Sequence, residues 1–142
     1  MNRRDRAVLR SIAPLALMGA IFFFSAQPST GEHPWWEAVV RKLGHVTGYA
    51  LLTALWVWAL RGAAVRRPVL IAVCISFAYA WTDEFHQTYV SGRTGTPVDV
   101  GVDAIGIAVA ALLLRARRPS PAGGGTVGAG GGVPRSSPAR SP

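Results

Sequence analysis

The 142-residue chain has room for one domain, is half hydrophobic and is only 15% charged, well short of the quarter typical of soluble domains. Its formal net charge of +8 is dispersed between apolar segments, without the interleaved aromatics of a base-stacking surface, so nucleic acid is not an expected partner. Cys74, the one cysteine, excludes an intrachain disulfide or a thiolate zinc cluster and reads as an inert packed thiol in an apolar run.

Residues 1–6 form a basic arm, followed by an apolar segment over 7–26 that contains Arg10 and Pro14. A signal peptide competes for this stretch. The residue three before a cut after Ala26 is Phe24, too bulky for the small-residue rule, so a retained first membrane helix is expected. In the connection that follows, Ser29 and Glu32 have capping-box spacing and Pro34 suits a first helical turn. Trp35 and Trp36 belong at headgroup level, and Glu37 and Arg41 are spaced as an exposed helical ion pair. The expectation is a short interfacial helix running into the next span.

The second span, about 43–60, is apolar except near its start, where His45, Thr47 and Tyr49 lie. A basic turn with Arg61, Arg66 and Arg67 leads to a third apolar run over 69–81. That run is short for a bilayer. Continued to Gln87 it reaches 19 residues, about 28 Å at 1.5 Å per residue. The acids at its end then sit at or just inside the interface. A turn over 91–97 leads to a fourth span, about 97–114, with Thr96 as cap, Pro97 at the first position and Asp99 completing a capping box. Gly106 and Ala110 form a small-xxx-small pair that admits a close neighbour. Sixteen of the 24 residues over 119–142 are Gly, Pro or Ser, so a disordered tail is expected after a membrane domain over 1–118. The fold class is therefore all-α: a four-helix transmembrane bundle.

Four spans put both termini and the 61–68 turn on one side. That side holds twelve of the fifteen basic residues, leaving Arg41, Lys42 and Arg93 on the other. The positive-inside bias makes the termini cytoplasmic and turns the polar cluster outward.

Helical spacing groups that cluster into three stripes: Lys42, His45 and Tyr49; Tyr79, Asp83 and Gln87; and Asp99, Asp103, Gly106 and Ala110. Each residue also has a plainer reading. Asp99 serves equally as a helix cap and Lys42 as a cation reaching the headgroups. Glu84 points about 100° away from Asp83 and reads as solvated as readily as functional. Arg93 is either a surface charge or a partner of Asp83 or Asp99, and His86 flanks its stripe and reads as solvated. Asp103 lies beyond the reach of capping in an apolar helix, where an acid costs up to about 2.5–3.5 kcal/mol. It requires a partner: Lys42, Arg93 or protonated His45.

The spacing Lys42-x-x-His45-x-x-x-Tyr49, then Asp83-Glu84-x-x-Gln87 with Arg93, then Asp99-x-x-x-Asp103-x-x-Gly106, resembles the VanZ-like membrane proteins. The segment Phe24-Ser25-Ala26-Gln27-Pro28 is similar to that family too, and the resemblance covers about residues 20–114. It implies a small bacterial integral membrane protein of the cell envelope. The family name refers to low-level teicoplanin resistance, with no settled mechanism. The family usually carries Asn where this chain has Asp103, which changes the charge balance of any shared site.

Three functions follow as expectations. The first is a non-enzymatic envelope protein whose outer site, built from Lys42, His45, Tyr49, Asp83, Glu84, Gln87, Arg93, Asp99 and Asp103, binds a membrane lipid headgroup or a cell-wall precursor. The second is an enzyme acting on such a substrate, with His45, Asp83, Glu84 and Asp103 as catalytic candidates; His45 or Asp83 would be a general base, or Asp83, Glu84 and Asp103 would hold a divalent cation. The third is an ion path, which the apolar cytoplasmic halves of the spans oppose. No HExxH, GxSxG or Walker spacing is present, and the histidines lack zinc-ligand spacing, so no metal or cofactor is assigned. The reading leans to binding, and it leaves the oligomeric state open.

Overall fold

A computed structural model describes residues 2–28, 35–93 and 95–117, without the side chains of Arg3 and Arg4. The expected Ser29–Glu32 capping box, Pro34 and the 119–142 tail lie outside the described residues. Four helices follow in order: α1 (Arg3–Ser25), α2 (Trp35–Gly62), α3 (Pro68–Gln87) and α4 (Pro97–Ala116). All four are long and apolar enough to cross a membrane, and no strand occurs among the described residues. The helices alternate in direction. One end of the bundle therefore gathers the start of α1, the end of α4 and the 63–67 turn (the helix-termini end), and the other gathers the polar stripes.

The boundaries agree with the sequence reading except in α2. Its 28 residues extend about 42 Å, well beyond a hydrocarbon core of about 30 Å. The expected interfacial helix is thus α2's own first two turns, where Trp35 and Trp36 are exposed. At α4 the Thr96 hydroxyl accepts the Asp99 N–H at 3.3 Å, as a cap should. The reciprocal arm differs from the expected capping box. The Thr96 N–H donates to Glu84 Oε2 at 3.2 Å, while Asp99 Oδ2 accepts from the Thr96 hydroxyl at 2.8 Å.

α2 is the central element and touches each of the other three, whereas α1 and α4 do not meet. Its closest approach is to α4. A Cβ at Gly106 would collide with the Val46 carbonyl, so the small-residue pair selects α2 as the neighbour. The same constraint holds at Gly95, where a Cβ would collide with the Glu84 carbonyl of α3.

Two apolar clusters fill the bundle. Val57, Val69 and Ala72 pack near the helix-termini end, and Tyr49, Leu52, Ala80 and Ile107 pack at mid-depth. Large apolar side chains such as Phe23, Leu51, Phe77 and Leu112 stay exposed on the outside. That surface suits lipid, in which apolar groups gain nothing by burial. Cys74 lies on this exposed face rather than in the core, which corrects the packed-thiol expectation; helix α3 turns its small residues Ala72, Ser76 and Ala80 inward instead.

Candidate functional site

Because α2 and α4 run so close at Gly106, their polar stripes pair rung by rung. Lys42 Nζ meets Asp99 Oδ1 at 3.1 Å, with both side chains partly exposed. One turn deeper, His45 Nδ1 meets Asp103 Oδ1 at 3.1 Å, and Asp103 is fully buried. Of the three partners expected for Asp103, His45 is the one it has. The carboxylate fixes the imidazole orientation by accepting from Nδ1. Asp103 Oδ2 is buried without a hydrogen-bond partner, as is the Tyr49 hydroxyl.

α3 divides its adjacent acids between two neighbours. Asp83 turns to α1, where it accepts a short hydrogen bond from the Ser25 hydroxyl, and its other oxygen accepts from Gln87 Nε2 at 3.2 Å. Glu84 turns to α4 and the loop. It is 4% exposed and accepts the Thr96 N–H, with Gln87 Nε2 at 3.4 Å. The solvated alternative for Glu84 is thereby corrected: the 100° offset carries it into the bundle, because α3 is covered on two sides.

Arg93 pairs with neither Asp83 nor Asp99. It donates to the Gln27 carbonyl at 2.9 Å and the Phe24 carbonyl at 3.1 Å, satisfying acceptors left free at the end of α1. Its guanidinium is pushed below the usual arginine range, first by burial and then by repulsion from Arg41. His86, expected in solvent, packs its ring 4.4 Å from that of Phe22 across the α1–α3 contact.

Two cavities open from this end. A polar pocket of about 210 Å³ has Arg41, Lys42 and Arg93 with Asp99 in its wall, and His45, Glu84, Gln87 and Asp103 on its inner side. An apolar groove of about 350 Å³ runs between α1 and α2 past Leu17, Ile21, Phe24, Gly44 and Gly48. Arg41, His45 and Arg93 line both. Tyr49 lines the groove rather than the pocket, and Asp83 lines neither.

Ser25 and Arg41 are members that sequence reasoning passed over. Arg41 stands one helical turn before His45 and two before Tyr49, a signal hidden by its pairing distance to Glu37. Ser25 is polar at the end of an apolar span, within the Phe24–Pro28 segment already noted.

The model of the family described as VanZ/LLP1 matches residues 9–118, spanning all four helices and every residue of the site. No curated protein and no solved structure matches the chain. The match covers more than half of the chain, and the protein therefore belongs to the VanZ/LLP1 family, as a VanZ-like membrane protein with four membrane-span-like helices.

Proposed function

We propose that the protein binds an anionic amphiphile, a lipid headgroup or lipid-linked cell-wall precursor, with the charged group in the polar pocket and an acyl chain in the α1–α2 groove. One observation carries this reading: the polar pocket and the apolar groove share Arg41, His45 and Arg93. Phosphate or carboxylate placed there meets the Arg41 guanidinium, which suits such groups through charge-assisted hydrogen bonds, while Arg93, anchored by two of its nitrogens to the α1 carbonyls, adds a fixed positive charge. It also relieves the mutual repulsion of Arg41 and Arg93. The groove is mostly apolar along its length, as an acyl chain requires.

The arginine distribution supports placement in a bacterial inner membrane with cytoplasmic termini and an outward-facing pocket. Arg10, Arg61 and Arg115 lie at the helix-termini end, with Arg10 4.9 Å over the Trp58 ring and Arg61 donating to the Leu114 carbonyl at 3.2 Å. Cysteine-accessibility labelling at engineered positions 63 and 92 tests the orientation; labelling of 63 from outside intact cells contradicts it. An effect on teicoplanin-type susceptibility would follow from capture of a cell-wall precursor, and expression in a susceptible host tests that consequence.

The test of binding is mass spectrometry of lipids that co-purify with the protein. Arg41→Gln removes a headgroup contact, and Gly44→Leu fills the groove at a position where an added Cβ meets nothing within 4 Å. Both should lose the bound anionic lipid while melting as wild type does. Equal lipid in all three proteins contradicts the reading.

A second reading, a hydrolase or transferase acting on an envelope lipid or glycan precursor, is favoured by the His45–Asp103 pair. A carboxylate that orients an imidazole is the arrangement of a general base. Turnover of the co-purified lipid, abolished by His45→Gln, would select it over binding alone.

A further inference from the structure

We infer that His45, Glu84 and Asp103 form a divalent-cation site on the inner side of the polar pocket, with one ligand from each of α2, α3 and α4. One donor atom from each residue can be chosen so that all lie within 4.8 Å of one another. Two donors bound at about 2.1 Å to one ion stand about 3.0–3.4 Å apart at octahedral or tetrahedral angles. His45 Nδ1 and Asp103 Oδ1 are 3.1 Å apart. A cation between them replaces the proton that Nδ1 otherwise donates, and Glu84 needs at most a small closing movement.

An independent observation points to a ligand. Asp103 Oδ2 is buried without a partner, and Asp103 lines the pocket. A buried oxygen with unused lone pairs is costly unless something occupies them. Charge points the same way. Glu84 and Asp103 are 4% and 0% exposed, and among the described residues neither has a lysine or arginine in ion-pair contact. Lys42 is held by Asp99, and Arg93 is held by the α1 carbonyls. Two buried carboxylates facing one imidazole leave negative charge that a cation would neutralise.

The surroundings fit a metal site in a further respect. The Thr96 N–H and Gln87 Nε2 each hydrogen-bond one Glu84 oxygen, as outer partners orient metal-ligating carboxylates. One imidazole with two carboxylates is a mixed nitrogen–oxygen set that suits Mn²⁺ or Zn²⁺. All three residues line the polar pocket. Spacing along the chain could not reveal this set, since each helix gives one ligand. The oxygen-only alternative had used Asp83, which is engaged with Ser25 on the far side of α3.

The site requires no lipid, so its failure would leave the amphiphile reading standing. The test uses full-length protein in detergent, stripped with EDTA and then titrated with Mn²⁺ or Zn²⁺ alone. Expected are one ion per chain by elemental analysis, an altered Mn²⁺ electron paramagnetic resonance spectrum, and a rise in Tm of roughly 5 °C or more at hundredfold excess over Kd. Asp103→Asn and Glu84→Gln each remove a buried charge. They should melt in EDTA at or above the wild-type temperature yet bind the ion at least tenfold more weakly. Folded wild-type protein that neither holds nor responds to either ion overturns the site, as does an ion held equally by both variants. A cluster that only shares protons gives the first of these results.

Discussion

At the helix-termini end of the bundle, α2, α3 and α4 meet through Val57, Val69 and Ala72 with Ala111 and Leu114 against them, and Arg10 and Arg61 stay outside on Trp58 and on the Leu114 carbonyl. At the other end the same three helices bury Glu84 and Asp103 with an imidazole and an amide, and α3 turns Asp83 against α1. Both ends draw on the same helices and the same kind of spacing. The difference is that apolar contact at one end is sufficient to hold the helices together, while the other end keeps charge in a place where charge is costly. A region that departs from the cheapest packing while its neighbour follows it is where function is expected.

The comparison can be broken most severely at the contact that both ends need. Gly106→Val drives a side chain into the Val46 carbonyl, and overpacking of this kind costs about 1–3 kcal/mol or more. Loss of monodisperse protein on size-exclusion chromatography is the expected outcome; a well-behaved variant would show that α2 and α4 do not approach so closely.

Leu52→Ala empties a fully buried position in the mid-depth cluster, at about 2–5 kcal/mol. Thermal melting should drop while the lipid complement per folded chain stays at the wild-type level. Lipid lost in proportion to stability would erase the distinction between packing and site.

The adjacent acids sharpen the contrast within one helix turn. Asp83→Ala returns the Ser25 hydroxyl to the Phe22 carbonyl at 3.1 Å and leaves one Gln87 donor unpaired, at about 1–3 kcal/mol, yet removes nothing from the pocket wall. Its Tm should fall with lipid retained. The smallest effect is expected from Lys42→Ala, because its pair with Asp99 is solvent-exposed and worth about 0–1 kcal/mol. A large drop in Tm would mean that this rung is better shielded than its exposure implies.

Much of this contrast was legible in the sequence. The length deficit of the third apolar run placed the helix end at Gln87, where α3 ends, because a span has to reach across the bilayer. Thr96 and Pro97 marked the start of α4 for local capping reasons. The Lys42–His45–Tyr49 and Asp99–Asp103 stripes were readable because period 3.6 fixes which residues share a face. What spacing cannot give is which neighbour a face meets. Asp83 and Glu84 differ by one residue, and only the positions of α1 and α4 decide which acid enters the pocket. Arg93 was invisible as a cap for α1, since its acceptors lie at Phe24 and Gln27, far away along the chain. Gly106 announced a close contact, and Val46 became its partner only through folding.

The central claim, that the charged end of the bundle selects an anionic amphiphile, is tested most directly by re-equilibration. Delipidated protein is exchanged against a defined mixture of phosphatidylglycerol and phosphatidylethanolamine, and the retained lipid is measured for wild type and Arg41→Gln. The account predicts that wild type retains phosphatidylglycerol well above its share of the mixture and that Arg41→Gln retains the mixture's own ratio. Lipid in the mixture's ratio on both proteins would contradict it.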